Sequence, residues 1–328
     1  MIWVSWRLQR LQLITLLGML VVGAGAVVLL RSSMIDDIDS LQIAHCTTQA
    51  PEVCQSSDSV GLFKATWMTM LNLGQGAILS FPALIGVFIG APLFARELEQ
   101  GTHVLAFTQS VSRTRWMFSK LVVALAPALI VLIVLQWLVS WWLSAAGNLG
   151  PHVNGVFYVL NIGIEHVSPV GYALFAFALG TFLGVVSRRT LVAMTAGLAA
   201  FIVVRFALFS VASRLVPTQH VEVPAGAGTS QGRDGSLTIA QGWIDATGRQ
   251  LPAGSANALI KSCRLTMTTA STPEEYAACL RQSGIAKQFA DFVPASQAWQ
   301  VHLVDASIFG GLALLLLVGT GWVLRRQS

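Results

Sequence analysis

Apolar positions along this chain form long uninterrupted runs instead of the short alternating pattern of a soluble protein. Five runs of at least 19 residues contain no Asp, Glu, Lys or Arg, at residues 11–30, 65–95, 121–164, 167–187 and 306–324. About 20 apolar residues in a helix cross the hydrocarbon core of a bilayer. The pattern predicts six membrane-spanning helices, spans 1 to 6, at about residues 11–30, 70–94, 121–143, 170–186, 191–210 and 306–324.

The composition supports the same interpretation. Of the 328 residues, 54% are apolar and 11% are charged, whereas a soluble domain carries roughly 25% charged residues. We therefore expect an all-α polytopic membrane protein with six transmembrane helices. Residues 1–10 place Trp3 and Trp6 beside Arg7 and Arg10, and this mixture predicts a short helix in the membrane interface before span 1.

Basic residues concentrate on one side of the predicted spans. Six spans bring both termini to one side, which is also reached by the connections after spans 2 and 4. That side carries two acidic and ten basic residues, the basic ones being Arg7, Arg10, Arg96, Arg113, Arg115, Lys120, Arg188, Arg189, Arg325 and Arg326. The only basic residues in the short connections on the opposite side are Arg31 and Lys64. The positive-inside rule predicts cytoplasmic termini and accounts for the net charge of +5 without a nucleic-acid site.

All four cysteines lie in segments that the predicted topology places outside. These segments are residues 31–64 and 215–301. The placement favours disulfides in an oxidising compartment. Four cysteines allow three pairings, and the most local one, Cys46 with Cys54 and Cys263 with Cys279, is favoured; four unpaired thiols are the alternative. A zinc site is disfavoured because neither pair has metal-ligand spacing.

The longer outer segment has the signals of a small folded α+β domain. Residues 237–244 alternate in part like a strand, and residues 245–248 supply a turn. Thr272, followed by a proline and a capping-box glutamate, predicts a helix start, and Gly284 predicts its end. Residues 217–235, rich in Gly, Pro, Ser and Thr, predict a loop.

Two pairs of glycines recur at four-residue spacing within the spans. They are Gly86 with Gly90 in span 2, and Gly180 with Gly184 in span 4. Small residues at this spacing allow helices to approach closely. We therefore expect tight helix packing at both places.

The connection between spans 2 and 3, residues 95–120, has the most distinctive sequence. It contains Glu-x-Glu-x-Gly-Thr, a short intervening segment, Ser-x-Ser-Arg, and a lysine that opens span 3. From the residues alone, a solvated turn flanked by basic residues is the simpler interpretation.

The pattern and its position resemble the permease subunits of ABC type 2 exporters. Residues 81–87, 108–111, 243–249 and 294–299 are similar to an actinobacterial branch of that family, and the resemblance extends over nearly the whole chain. It implies a prokaryotic plasma-membrane protein whose loop at residues 95–120 is a coupling helix. Such a helix docks into a separate nucleotide-binding ATPase subunit, which holds the ATP and Mg. Two permease copies, identical or homologous, would assemble with two ATPase subunits.

The resemblance also implies roles for individual residues of this loop. The helix entry would be shaped by Glu97, Glu99, Gly101 and Thr102. The residues at or near the ATPase subunit would be Leu105, Phe107, Arg113 and Arg115.

The family arrangement places spans 2 and 5 at the dimer axis. The substrate path would then include Asn72, Gln75 and Arg205. Hydrogen bonding between helices remains open for the two amides, and snorkelling to the interface remains open for the arginine. The implied cargo is a drug, antibiotic, peptide or lipid-like molecule.

The chain lacks the residues that bind ATP in a P-loop. That site needs a Gly-Lys pair followed by Ser or Thr, because backbone amides hold the phosphates while the lysine reaches them. None of the four lysines follows a glycine, so we expect a non-enzymatic chain that binds no cofactor or metal itself. Two other motifs are weak: Gly-x-Ser-x-Gly at residues 228–232 lies in a predicted loop, and Glu165-His166 is an isolated pair.

These expectations divide the chain into an interfacial helix, five spans, an outer domain, and a last span with a cytoplasmic tail, at residues 1–10, 11–214, 215–301 and 302–328. The predicted function is the permease subunit of an ATP-driven exporter for a hydrophobic or amphipathic substrate. The alternative is a non-transporting membrane anchor or sensor that acts through its outer domain. A secondary transporter and an intramembrane enzyme are disfavoured because the spans contain few ionisable residues.

Overall fold

A computed structural model describes residues 2–49, 54, 58–100, 113–226, 235–266 and 272–326. Six helical segments within these residues are long and apolar enough to cross a membrane, which confirms the predicted number. Span 1 is α1 (Ile2–Ser40), and span 2 combines α2 (Asp58–Leu84), a π-helical turn (Ile85–Gly90) and α3 (Pro92–Glu99). Span 3 is α4 (Arg113–Ala146), the short α5 (Val159–Ile162) precedes span 4, which is α6 (Ser168–Ser187), and span 5 is α7 (Thr190–Ala212). Then come α8 (Ala253–Thr266), α9 (Pro273–Gln282) and span 6, which is α10 (Ala298–Arg326).

Several helices extend well beyond the apolar runs that predicted them. The 39 residues of α1, at about 1.5 Å per residue, are about 58 Å long, whereas the hydrocarbon core is about 30 Å thick. No helix break marks the predicted boundary between an interfacial helix and span 1 at residue 10. The predicted outer segment at residues 31–64 is therefore helical at both of its ends, where α1 and α2 continue.

Spans 2 and 4 pack together through their glycines, so the predicted tight packing occurs at both glycine pairs. A Cβ atom on Gly86 would lie 2.6 Å from the carbonyl oxygen of Ala176. A Cβ on Gly184 would lie 2.6 Å from that of Ala91. These contacts leave no space for a side chain, so the two backbones touch directly. The contact includes the π-helical turn of span 2, and π-helical turns recur at functional sites.

The chain divides into two compact units. We call Met1–Asn154, Tyr158–Ala212 and His302–Ser328 the span unit, and Gly155–Phe157 with Ser213–Val301 the sheet unit. The sheet unit contains three antiparallel strands, β1 (Gln219–Pro224), β2 (Leu237–Ile244) and β3 (Lys287–Val293), in the order β1-β3-β2. The predicted strand at residues 237–244 and the helix that starts after Thr272 with a capping box are both confirmed.

The predicted loop at residues 217–235 is wrong in its first part, because β1 lies there. Polar and apolar residues alternate strictly from His220 to Val223, which is the pattern of a strand with one covered face. The nearby glycines and prolines obscured it. The central strand β3 was not predicted either.

Both disulfides have the pairing that was favoured. They join Cys46 to Cys54 in the span unit and Cys263 to Cys279 in the sheet unit. The second bridge links α8 to α9, and Cys263 is buried beside Leu280. The buried core there is small, and small domains with small cores commonly need such covalent links.

Candidate functional site

A buried ion pair lies at the end of the spans that carries most of the arginines. We call the end with Arg96, Lys120, Arg188, Arg189 and Arg325 the basic end. There the Lys120 ammonium of span 3 pairs with the Glu97 carboxylate of span 2. Lys120 is only 5% exposed, and its Nζ lies 4.5 Å from the ring centre of Trp116. A carboxylate and an aromatic ring together compensate for the burial of this charge.

The second acidic residue of the predicted coupling motif contacts a different span. The Glu99 carboxylate accepts hydrogen bonds from the backbone N–H of Thr190, at 3.2 Å, and from its hydroxyl, at 2.8 Å. Thr190 is the first residue of α7, so a negative charge lies at the positive end of that helix dipole. Glu97 and Glu99 thus tie the end of span 2 to spans 3 and 5. We call these contacts the two-span tie.

The remaining coupling residues follow the two-span tie in sequence. Gly101, Thr102, Leu105 and Phe107 lie outside the described residues. Arg113 begins α4, and Arg115 is exposed in its first turn. In sequence, the segment that the resemblance assigns to the ATPase contact therefore lies between the two-span tie and the start of span 3.

The structure does not gather the three predicted substrate-path residues around one cavity in the part of the chain it describes. Asn72 lines a groove of about 470 Å³ on the surface of α2. Gln75 is fully buried, and its amide donates to Asn161 Oδ1 at 2.7 Å. The guanidinium of Arg205 lies 4.0 Å from the ring centre of Tyr172. The amide of Gln75 therefore makes a contact between segments, and a path role for these residues stays a prediction.

Arg205 belongs to a polar cluster with Tyr172 and Asp305. This cluster lies at the end of the spans opposite the basic end, and we call that end the far end. The Tyr172 hydroxyl of span 4 donates to the Asp305 carboxylate of span 6, and both residues are buried. Asp305 was not singled out because it directly precedes the apolar run that predicted span 6. The structure places it inside α10, where an ionisable residue is a functional candidate.

Histidines and a glutamate extend the far end into the connection before span 4. The Nδ1 of His152 lies 3.7 Å from Glu165 Oε1, and the ring of His166 stacks on that of His302 with centroids 4.6 Å apart. Burial raises the pKa of Glu165 to about 7 and lowers the pKa of His152. In the sequence Glu165-His166 is an isolated pair, because His302 lies more than 130 residues later in the chain.

The family model described as ABC-2 membrane transporter related matches residues 17–213 of the chain. The match covers more than half of the sequence and includes most of span 1 and all of spans 2 to 5. This chain belongs to that family. It is a membrane transporter component of the ABC type 2 permease kind. Comparison with curated proteins and with solved structures found no match.

The two polar clusters of this ABC type 2 permease differ in how much of each lies inside the matched region. Glu97, Glu99, Lys120 and Thr190 lie inside the match, so the whole two-span tie belongs to the part shared with the family. The far-end groups on span 6, among them His302 and Asp305, lie beyond residue 213. The permease thus combines a two-span tie inside the family match with a far-end cluster that lies partly outside it.

Proposed function

We propose that this chain is the transmembrane subunit of an ATP-driven exporter, and that residues 95–120 couple ATP hydrolysis by a separate subunit to movement of the spans. The observation that carries the proposal is the two-span tie. Glu97 and Glu99 are two residues apart on α3, yet they contact span 3 and span 5 separately. The family supports a transporter role, and the tie offers a route by which force on the loop reaches several helices.

The two contacts differ in how they would transmit force. The Lys120 and Glu97 side chains are partly shielded from solvent, with 7% and 28% of their side-chain areas exposed, so their attraction is only weakly screened. Glu99 instead holds the first N–H of α7, and a shift of this carboxylate would pull on the helix end itself. Movement of the segment between α3 and α4 would therefore displace spans 2, 3 and 5 together.

The rest of the proposal follows the family. Both termini and the basic end face the cytoplasm, where the ATPase subunit holds ATP and Mg, and a second permease copy or homologue completes the transporter. The partly exposed groove beside Asn72 faces the second copy and contributes to the path. A hydrophobic or amphipathic drug, antibiotic, peptide or lipid-like molecule is the cargo that the family resemblance implies.

The test starts with purification of the tagged chain in mild detergent and identification of co-purifying nucleotide-binding subunits. The complex is then reconstituted in nanodiscs and its ATPase activity is measured with candidate cargoes. We expect Glu99→Lys and Arg113→Glu to lower cargo-stimulated activity about tenfold, the scale of a typical coupling free energy. Glu274→Lys is the matched control, since Glu274 is an exposed glutamate in the first turn of α9, and it should leave the activity unchanged.

Three results would count against this function. Failure to recover any nucleotide-binding subunit would remove the energy source. Full cargo stimulation in Glu99→Lys would separate the loop from coupling. Loss of cellular function after changes in the sheet unit, with no effect of changes at residues 95–120, would favour the membrane anchor or sensor.

A further inference from the structure

The far end brings together three side chains that can bind a metal ion. Glu165 and His166 lie in the connection before span 4, and His302 lies in the first part of α10. One ligand atom from each lies within 4.8 Å of the other two. His152 Nδ1 lies 3.7 Å from Glu165 Oε1 and brings a fourth donor next to the group. All four residues belong to the span unit.

His302 has an unused nitrogen in this group. The residue is 1% exposed, and its Nε2 is buried without a hydrogen-bond partner in the described part of the chain. Its Nδ1 lies 2.8 Å from the Ser168 hydroxyl oxygen. In the tautomer that carries the proton on Nδ1, this N–H donates to the serine oxygen. This tautomer leaves a lone pair on Nε2.

The arrangement around His302 is typical of a metal-binding histidine. Such a histidine usually donates its second ring N–H to an oxygen acceptor, which fixes the tautomer and the ring orientation. Ser168 supplies that acceptor. A buried polar atom without a partner is costly to retain. The unpartnered Nε2 therefore points to a ligand as the missing partner.

The turn that carries Glu165 and His166 is held in place by another span. The Gln136 amide of span 3 donates to the carbonyl oxygens of Ile164, at 2.9 Å, and His166, at 2.8 Å. The ion-pair contacts of Glu165 in the described residues are to two histidines, His152 and His166. A carboxylate surrounded by imidazoles forms a donor set that a divalent cation completes.

We propose that Glu165, His166 and His302 bind a divalent transition-metal ion of the zinc class, with His152 as an additional ligand. Two or three imidazoles and one carboxylate suit Zn²⁺, whereas Mg²⁺ and Ca²⁺ prefer oxygen ligands alone. Tetrahedral bonds of about 2.1 Å place ligand atoms about 3.4 Å apart, so distances of up to 4.8 Å within the group must shorten by up to about 1.4 Å. The side chain of His166 is 51% exposed, and its ring must turn out of the stack with His302 to direct a lone pair at the ion.

A bound ion would link the connection before span 4 to span 6. These two segments are more than 130 residues apart in sequence, and the ion would hold their far ends at a fixed distance. The metal site is independent of the proposed coupling role, because none of its ligands belongs to the two-span tie. Metal binding would therefore be measurable in a chain that has lost its ATPase partner.

A histidine outside the proposed site, His45, supplies a control for the experiment. His45 lies close to Cys46 and Cys54, but both sulfur atoms are used in a disulfide. These two sulfur atoms are therefore not available to a metal ion. His45→Ala removes an exposed histidine of the span unit without changing the proposed site.

The experiment uses the full chain in nanodiscs, purified with a tag that contains no histidines and stripped with a chelator. Co²⁺ is titrated while the visible absorption of tetrahedral cobalt is recorded, and Zn²⁺ is then added in competition. We expect about one Co²⁺ per chain and displacement by Zn²⁺, which binds such sites more tightly than Co²⁺. Glu165→Gln, His166→Ala and His302→Ala should each weaken binding at least about tenfold, and Ser168→Ala, which removes the acceptor next to His302 Nδ1, about tenfold. His45→Ala should bind like the unchanged chain.

His302→Ala changes a buried residue and could prevent folding. His166 is exposed, so His166→Ala tests the metal site in a chain that folds. His166→Ala should melt at the same temperature as the unchanged chain without metal, and only the unchanged chain should gain stability when Zn²⁺ is added. Absence of a tetrahedral cobalt spectrum in the unchanged chain would overturn the proposal. Equal affinities of the unchanged chain and His166→Ala would also overturn it.

Discussion

The two ends of the spans bury polar groups in different ways. At the basic end, Lys120 is paired with Glu97 and lies against an aromatic ring. At the far end, the described residues include two buried polar atoms without partners, Gln75 Oε1 and His302 Nε2. Native proteins pair nearly all buried polar groups, and exceptions call for a functional explanation. The two-span tie therefore fixes helices to one another, whereas the proposed metal ion would supply the partner that His302 Nε2 lacks among the described residues.

The largest effect is expected from breaking the buried pair at the basic end. Lys120→Met keeps the length of the side chain but leaves the Glu97 carboxylate without its cation. Removing one partner of a buried pair costs about 3 kcal/mol at the low end of the usual range, and the partial exposure of Glu97 places this pair there. Denaturant titration in mixed micelles, followed by tryptophan fluorescence, measures the loss in the free energy of unfolding.

Two further variants show whether this cost comes from the pair. Lys261→Met removes an exposed lysine of α8 and should change stability little. Adding Glu97→Gln to Lys120→Met should restore part of the lost stability, because no unpaired charge then remains. A double variant that is no more stable than Lys120→Met would mean that Lys120 acts through its apolar contacts instead.

The next effect concerns the hydrogen bond between spans 4 and 6 at the far end. Tyr172→Phe removes the hydroxyl that donates to the buried Asp305 carboxylate. A hydrogen bond to a charged group contributes about 2 kcal/mol, and we expect a loss of that size in the same unfolding titration. Tyr158→Phe is the control, since Tyr158 is 42% exposed. Equal stabilities of the two variants would show that the far end is not held together by this contact.

A smaller effect on stability is expected at the glycine contact between spans 2 and 4, which lies between the basic end and the far end. Gly180 of span 4 packs directly on the backbone of Gly86 in span 2, so Gly180→Ala forces the two spans apart. Overpacking lowers the free energy of unfolding by about 1 to 3 kcal/mol. The higher helix propensity of alanine raises it by up to about 1 kcal/mol. The control, Gly76→Ala, lies on span 2 where a Cβ meets nothing within 4 Å, and it should be neutral or stabilising. If Gly180→Ala behaves like Gly76→Ala, the close approach is not required.

Sequence patterns predicted the spans well, because a bilayer imposes a length and a composition on each of them. The apolar runs gave the correct number, the paired glycines marked positions of close helix packing without showing which spans meet there, and the local pairing of cysteines was confirmed. Helix ends were less accurate, since the α1 sequence contains nothing between residues 31 and 40 that stops a helix. Strand β1 was missed although its residues alternate, because glycines and prolines follow it closely.

The polar contacts were harder to predict because they depend on long-range pairing. Glu99 and Thr190 are 91 residues apart, and no local pattern relates them. Glu97 and Glu99 could be singled out only through the resemblance to ABC type 2 permeases. His302 and Asp305 lie at the start of span 6, where the boundary between apolar and polar residues is ambiguous, and only packing shows that both are buried.

The smallest effect, and the sharpest test of the comparison, is expected from Gln75→Leu at the far end. The change removes the hydrogen bond to Asn161, but it also removes the buried Oε1 that has no partner. Asn161 still donates to the carbonyl oxygen of Pro151 at 3.1 Å. The lost bond and the relieved burial nearly cancel, so we expect a cost of about 0.5 kcal/mol.

The matched control for Gln75→Leu is Gln12→Leu, which removes another amide contact between spans. The Gln12 amide donates to the carbonyl oxygen of Ala124 at 3.2 Å and is partly buried. If the far end is kept polar for a ligand, Gln75→Leu should cost no more stability than Gln12→Leu, although Gln75 is the more deeply buried residue. In the nanodisc assay it should also change cargo-stimulated ATPase activity, whereas Gln12→Leu should not. A loss above about 2 kcal/mol for Gln75→Leu alone would mean that the far end is a structural joint like the basic end, because only a fully used hydrogen-bond network is that costly to break.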